Sequence, residues 1–328
     1  MSDLVLGIFG LLAIIVLILL VIASHKNNGA KLGVGLGLVL LFGGDAFAGV
    51  NLTLPGFVNQ GGFFKIVIKE DGKVRSEFYA VDFAGGAYRT FLEEGGKHVV
   101  FVPVGVAEKI GRIEIAVRKE DGALLAREHI EVKLVDFPKS KKNFQRMPYT
   151  KAQLARLKKE QESLKNIYFT EFALIFFGTD LIFRQPLDGE APRISSEFGA
   201  IRKVKVGKDP KIYTVRHYGI DYPVPEGTPV FAAENGMVRF AGNLLGAGNT
   251  VIIDHGHGLF SVYEHLSNIT VFSGDFARAG AVIAYSGKTG NATGPNLHFG
   301  VKLHNVWVDP KYFFARPAEL GRSTGGAR

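Results

Sequence analysis

The segment Gly294-Pro295-Asn296-Leu297-His298-Phe299-Gly300 alternates like a β-strand, with Asn296 and His298 on one face and Leu297 and Phe299 on the other. Two polar groups on such a strand are either ordinary surface residues or part of a metal site. Six of the nine histidines fall between His217 and His304, which directs attention to the second reading. His217 and Asp221 stand four apart, but Gly219 and Pro223 argue against a helix there. On a strand running into a turn the two can still converge, and imidazole nitrogen and carboxylate oxygen both suit zinc. The pair alone is a weak motif. His255 and His257 sit in a glycine-rich turn after a strand and read equally well as turn residues. His265 lies between apolar positions of a strand in Tyr263-Glu264-His265-Leu266-Ser267.

Taken in order, these groups resemble the lysostaphin-type (LytM-like) zinc metallopeptidases, which are peptidoglycan endopeptidases. The matching residues are His217 and Asp221, then Tyr263 to Ser267, then the run from Thr289 to Phe299 that closes on Leu297-His298-Phe299. Ser195 to Gly199 is similar to the family's entry strand, and Gly227 to Val230 to its continuation. The similarity covers about residues 192 to 314. It implies one Zn²⁺ per chain held by His217, Asp221 and His298, with a fourth position open to a water that the metal activates. It implies that His265 assists proton transfer as one of two further catalytic groups. Asn296 stands where the family carries the other, a histidine. An asparagine amide can donate a hydrogen bond but cannot take a proton, so general-base work falls to His265 or to the metal's water, and activity is expected to be reduced or retuned.

The elements that must position these residues are mainly β. From Arg193 onward, short apolar runs such as Thr250-Val251-Ile252-Ile253 are broken by glycine turns, which predicts an antiparallel β peptidase domain over 186–316. Residues 49–137 read as a small β-sandwich, immunoglobulin-like in its strand count. The tetrapeptide Lys-Glu-Asp-Gly recurs there at Lys69 to Gly72 and Lys119 to Gly122, each a hairpin signal. His98 and His129 lie in strand contexts and read as structural. Between the two, 138–185 reads as a basic linker followed by a helix that spaces the domains. Thr150-Lys151-Ala152-Gln153 opens that helix as a capping box.

The first 48 residues carry two apolar segments. Leu4 to Ala23 is uncharged and long enough to cross a bilayer as a helix. After Lys26 and Lys31 comes a second segment ending in Ala46-Phe47-Ala48. It reads either as a cleaved export signal or as a second span. Both readings place the rest of the chain in the cell envelope, outside the cytoplasmic membrane, anchored to it or exported. The chain has no cysteine, so neither disulfides nor thiolate chemistry hold it or serve it. Its net charge of +8 fits work beside anionic envelope polymers or lipid head groups, and equally well general solubility. No lysine-arginine block points to nucleic acid. The tail, 317–328, is small, polar and glycine-rich, as disordered tails are. The expectation is therefore a membrane-tethered zinc endopeptidase that cuts peptide cross-links of peptidoglycan. The alternative is an envelope scaffold with little or no catalysis that activates another wall hydrolase.

Overall fold

The computed structural model describes residues 50–70, 78–93, 95–169, 181–189 and 192–314. The expected membrane segments, the first Asp-Gly turn and the expected disordered tail lie outside these residues. Among the described residues no helix is long and apolar enough to cross a membrane.

Among the described residues the N-terminal part holds the strands β1 (Val50–Thr53), β2 (Phe57–Asn59), β3 (Phe63–Glu70), β4 (Tyr79–Phe83), β5 (Gly86–Arg89), β6 (Phe91–Glu93), β7 (Lys97–Pro103), β8 (Gly111–Lys119) and β9 (Leu124–Lys133). They form two sheets, ordered β1-β3-β7-β6 and β2-β9-β8-β4-β5. Strict alternation in β4 turns Tyr79, Val81 and Phe83 inward, where they meet Ile66, Ile68, Val100 and Val102 of the facing sheet. The second Asp-Gly turn forms as expected: Gly122 adopts a φ of +84° and Asp121 accepts from the amide of Ala123 at 2.9 Å.

Strand β7 is buried along nearly its whole length, because it serves two cores. Val100 and Val102 face the sandwich, whereas Val99 and Phe101 face the C-terminal half and join Phe183, Phe313 and Leu303 there. Phe63 stacks on Phe313 with ring centroids 4.8 Å apart, and Phe91 on His257 at 4.3 Å. The two halves therefore share one hydrophobic core.

The expected linker contains a strand, β10 (Lys139–Arg146), which is a correction to the sequence reading. It pairs in parallel with β11 (Ile201–Val206), itself antiparallel to β12 (Ile212–Arg216). The helix α1 (Lys151–Phe169) follows, opened by the expected reciprocal cap: Gln153 N–H to Thr150 Oγ1 at 3.2 Å and Thr150 N–H to Gln153 Oε1 at 2.9 Å. It lies on the C-terminal sheet, with Tyr168 packed against Ile252, Phe260 and Val262. Glu160 accepts from the amide of Leu245, and Arg156 donates to Asn243.

That sheet is built from β13 (Ile220–Tyr222), β14 (Pro229–Phe231), β15 (Gly236–Leu244), β16 (Gly248–Asp254), β17 (Leu259–Ile269), β18 (Phe276–Ala277), β19 (Val282–Ser286), β20 (Leu297–Leu303) and β21 (Val306–Val308). Its main path runs β13-β20-β17-β16-β15-β18. All its pairings are antiparallel, as expected. Tyr263, Leu266, Leu297 and Phe299 fill the core face, and the opposite face of the central strands carries the apolar patch under α1 and, beside it, polar groups.

Candidate metal centre and active site

Register alone assembles the site. Asp221 of β13 pairs with His298 of β20, and His298 pairs with Glu264 of β17, so the three stand in one row on the polar face. His217 enters from the turn between β12 and β13. That turn needs glycine: a Cβ on Gly219 would lie 2.6 Å from the ring of His298. The four-residue spacing thus works as strand, tight turn and strand, with an imidazole passing where a side chain would have been.

The donor atoms meet closely. His217 Nε2 lies 3.0 Å from Asp221 Oδ1 and 3.0 Å from His298 Nδ1, and His298 Nδ1 lies 2.8 Å from Asp221 Oδ1. Both imidazoles are buried, His217 at 3% exposure and His298 at 8%. His217 uses its Nδ1–H on the carbonyl of Glu197 at 2.9 Å, which leaves Nε2 as a bare lone pair aimed at a carboxylate. Three lone-pair atoms converging in a buried place require either a proton or a metal cation between them. Their spacing is close to the roughly 3.3 Å edge of a tetrahedron drawn at zinc–nitrogen distances of about 2.0–2.1 Å. The residues present fit a zinc ion, and among the described residues this is the one group of histidine and acidic side chains so arranged.

Arg202, on β11, was not singled out from sequence, where it reads as one of several bases in a polar strand. The structure brings its guanidinium to Asp221 Oδ2 at 2.6 Å and to Ser196 Oγ at 2.7 Å. It therefore fixes the carboxylate while Oδ1 stays turned to the imidazoles. Burial opposes the charge on Asp221, but its contacts with the imidazoles of His217 and His298 outweigh it and hold the carboxyl well below the usual range. Burial lowers the pKa of His217 despite its contact with Asp221. His298 goes the other way: burial works against its cation, yet the charge of Glu264 and the hydrogen bond to Asp221 raise it.

His265 reaches the same face by a bulge. The register slips between Asn249 and Val251 of β16, and His265 takes a φ of +65°, rare for a side-chain-bearing residue. Without the bulge it would alternate with Glu264 and point into the core. With it, the ring sits 6.0 Å from that of His298. Nδ1–H donates to the carbonyl of Thr289 at 2.9 Å, which leaves Nε2 free to accept a proton. Burial lowers its pKa and keeps it neutral. Asn296 lies two residues before His298 and holds its strand through its amide to Gly287 at 3.0 Å. Its Oδ1 is buried with no hydrogen-bond partner among the described residues.

Other histidines of the described residues lie outside the converging trio. His255 is fully buried, with Nδ1 2.7 Å from the carbonyl of Asn235 and Nε2 2.8 Å from Ser261 Oγ. His257 stacks on Phe91. His98 lies edge-on to Tyr79 at 4.7 Å, and His129 is exposed on β9.

An antiparallel β domain with a His-Asp-His cluster and a neutral histidine beside it defines a metallopeptidase-type centre. Residues 215–310 match the model of peptidase family M23, and the chain carries a domain of that lysostaphin-type family. The chain is 41% identical over 119 residues to the DD-carboxypeptidase/endopeptidase Mpg of Neisseria meningitidis serogroup B, a match covering 36% of this chain and 26% of that protein. It is 40% identical over 116 residues to the peptidoglycan DD-endopeptidase ShyA of Vibrio cholerae, covering 35% of this chain and 26% of that one. The chain thus spans about a quarter of the length of these relatives. A solved structure from Pseudomonas aeruginosa described as an M23 peptidase aligns with 28% identity and a TM-score of 0.58, over 77% of this chain and 93% of that one.

Proposed function

We propose that this protein is a zinc-dependent endopeptidase that hydrolyses peptide cross-links of bacterial peptidoglycan. The observation that carries the reading is the convergence of His217, Asp221 and His298 on one point, with the free Nε2 of His265 on the same face. The relatives whose domain it matches are named as DD-endopeptidases, which supports the substrate class.

His217 Nε2, Asp221 Oδ1 and His298 Nδ1 would hold the ion, and Arg202 keeps the Asp221 carboxylate turned toward the two imidazoles. Zinc, when bound there, supplies a Lewis acid that polarises the scissile carbonyl and acidifies water. His265, neutral and anchored through Thr289, takes the proton of the attacking water on Nε2 and returns it to the departing amine. Asn296 supplies a hydrogen-bonding amide beside the developing oxyanion but no base, so proton transfer rests on His265 alone. The apolar segments at 4–23 and 32–48 support a catalytic domain held outside the cytoplasmic membrane.

The test is cleavage of a defined cross-linked peptide, followed by mass spectrometry. Addition of one water across an amide bond, lost with a chelator and regained with zinc, is the expected result. Intact peptide in the presence of stoichiometric bound zinc overturns the reading.

A further inference from the structure

The small sheet β10-β11-β12 has one face turned inward and one left open. Val204 of β11 is buried, and Arg202, on its way to Asp221, lies over the ring of Phe144 of β10 at 5.1 Å. Strand alternation puts Lys203 and Lys205 on the other face, both exposed, and the register sets Ile212 of β12 beside Lys205. The three strands stop together at the end away from Arg202 and Asp221. There the amide of Gly207 donates to the carbonyl of Arg146 at 2.8 Å. Met147, next in the chain, is 82% exposed, and Ile212 is 58% exposed. Lys208 and Lys211, both exposed, belong to the same turn.

The turn folds without these side chains. Gly207 takes a φ of +52°, and the amide of Asp209 donates to the carbonyl of Val206 at 3.0 Å. The Asp209 carboxylate accepts from the amide of Lys211 and from the hydroxyl of Tyr213, each at 2.9 Å. This end of the sheet therefore carries four lysines against one carboxylate, and none of the four forms an ion pair among the described residues. A single exposed apolar side chain needs no explanation. Two at one end of a sheet, among unpaired cations, match what an anionic lipid surface binds: apolar groups enter the head-group boundary while ammonium groups meet phosphate. A water-soluble polyanion would meet the lysines and leave Met147 and Ile212 in water.

We propose that the free end of the β10-β11-β12 sheet is a docking surface for an anionic phospholipid membrane, with Met147 and Ile212 entering the interface and Lys205, Lys208 and Lys211 meeting the lipid phosphates. The inference rests on the proposed envelope location in one respect, that a membrane lies within reach; it does not need the hydrolysis. Strand β11 then runs from the lipid surface to Arg202 beside the metal centre. Its six residues from Lys208 back to Arg202 hold that centre about 20 Å above the head groups, at roughly 3.3 Å per residue.

The chain has no cysteine, so Met147→Cys carries a single polarity-sensitive fluorophore on the full chain, and Glu120→Cys, in the exposed turn between β8 and β9, carries it as control. Each is combined with vesicles of phosphatidylcholine alone and of phosphatidylcholine mixed with phosphatidylglycerol, and cleavage of a soluble peptide is followed on the same samples. The probe at position 147 shifts to the blue with anionic vesicles, not with neutral ones, and the shift is lost at high salt; the probe at position 120 stays in water. Lys208→Gln with Lys211→Gln weakens docking roughly 25-fold, about fivefold for each cation, whereas Lys208→Arg with Lys211→Arg keeps it. Peptide cleavage is the same in all of them. A probe at position 147 that reports water beside anionic vesicles, or a shift that the glutamine pair leaves undiminished, overturns the surface even where the peptide is cleaved. A shift with dextran sulfate and none with vesicles also overturns it and assigns the lysines to a polymer. Docking without cleavage retains the surface and overturns the hydrolase.

Discussion

Arg202 grips one oxygen of Asp221 at 2.6 Å while the other oxygen lies 3.0 and 2.8 Å from two imidazoles. The carboxylate is therefore shared between a permanent cation and the metal position. The guanidinium fixes its orientation and also draws off part of its charge. Replacement of Arg202 by Gln is expected to lower zinc affinity about 10- to 100-fold, the usual effect of removing a group that orients a ligand. Competition with a chromogenic chelator measures it, and circular dichroism checks that the fold is kept.

His265 should separate chemistry from metal binding. Because its Nε2 is held beside the site and is not one of the three converging atoms, His265→Ala is expected to retain zinc and lose about 10²–10⁴ in kcat. Metal content and turnover measured on the same sample decide it. A variant as fast as the parent excludes His265 as the base.

Asn296 gives the complementary expectation. Its buried Oδ1 has no partner, so replacement removes no internal hydrogen bond at that atom. Asn296→His installs a second proton-transfer group on the same face and should raise kcat with zinc stoichiometry unchanged. Steady-state kinetics of the pair measures the gain.

The shared core predicts cooperative unfolding. Phe313 is 1% exposed and stacks on Phe63 of the sandwich and Phe183 of the C-terminal half. Phe313→Ala should cost about 3–5 kcal/mol. Both halves should still melt in one calorimetric transition, since Val99 and Phe101 tie them together. Two separate transitions in the parent would contradict a common core.

Acid stability depends on His255. Burial pushes its pKa down to about 4, from an ordinary value near 6.5. A neutral ring satisfies both of its contacts by donating from Nδ1 to Asn235 and accepting at Nε2 from Ser261. Between those two pH values the unfolded chain binds a proton that the native chain refuses, so stability rises with pH there. The contribution, about 3 kcal/mol, is complete above pH 6.5 and is lost as pH falls toward 4. Urea midpoints from pH 4 to 8 should fall less steeply for His255→Gln than for the parent.

The converging trio of His217, Asp221 and His298 was legible in the sequence because each residue sits in a short motif with its own local reason. Gly219 makes room for an imidazole, and the alternation before Phe299 turns His298 to the polar face. Arg202 and Glu264 were not legible as site residues. What places them is the pairing of β10 and β11 beside β12 in one case and the β17–β20 register in the other, and register between distant strands leaves no local mark. The strand β10 read as a linker because its sequence is basic and one face of a small edge sheet stays wet. The double burial of β7 was written in its unbroken apolar run, Val99 to Val102, but that run does not say that its second partner is another half of the chain. His265 was found by its motif, and the bulge that aims it was not.

Zinc-dependent release from whole peptidoglycan tests the central claim most directly. The purified protein is incubated with sacculi, with chelator, and with chelator followed by zinc, beside His217→Ala as control. The account predicts soluble peptide-bearing fragments from the parent, none with chelator, recovery with zinc, and none from the variant. Sacculi left intact by a parent protein that carries one zinc per chain would contradict it.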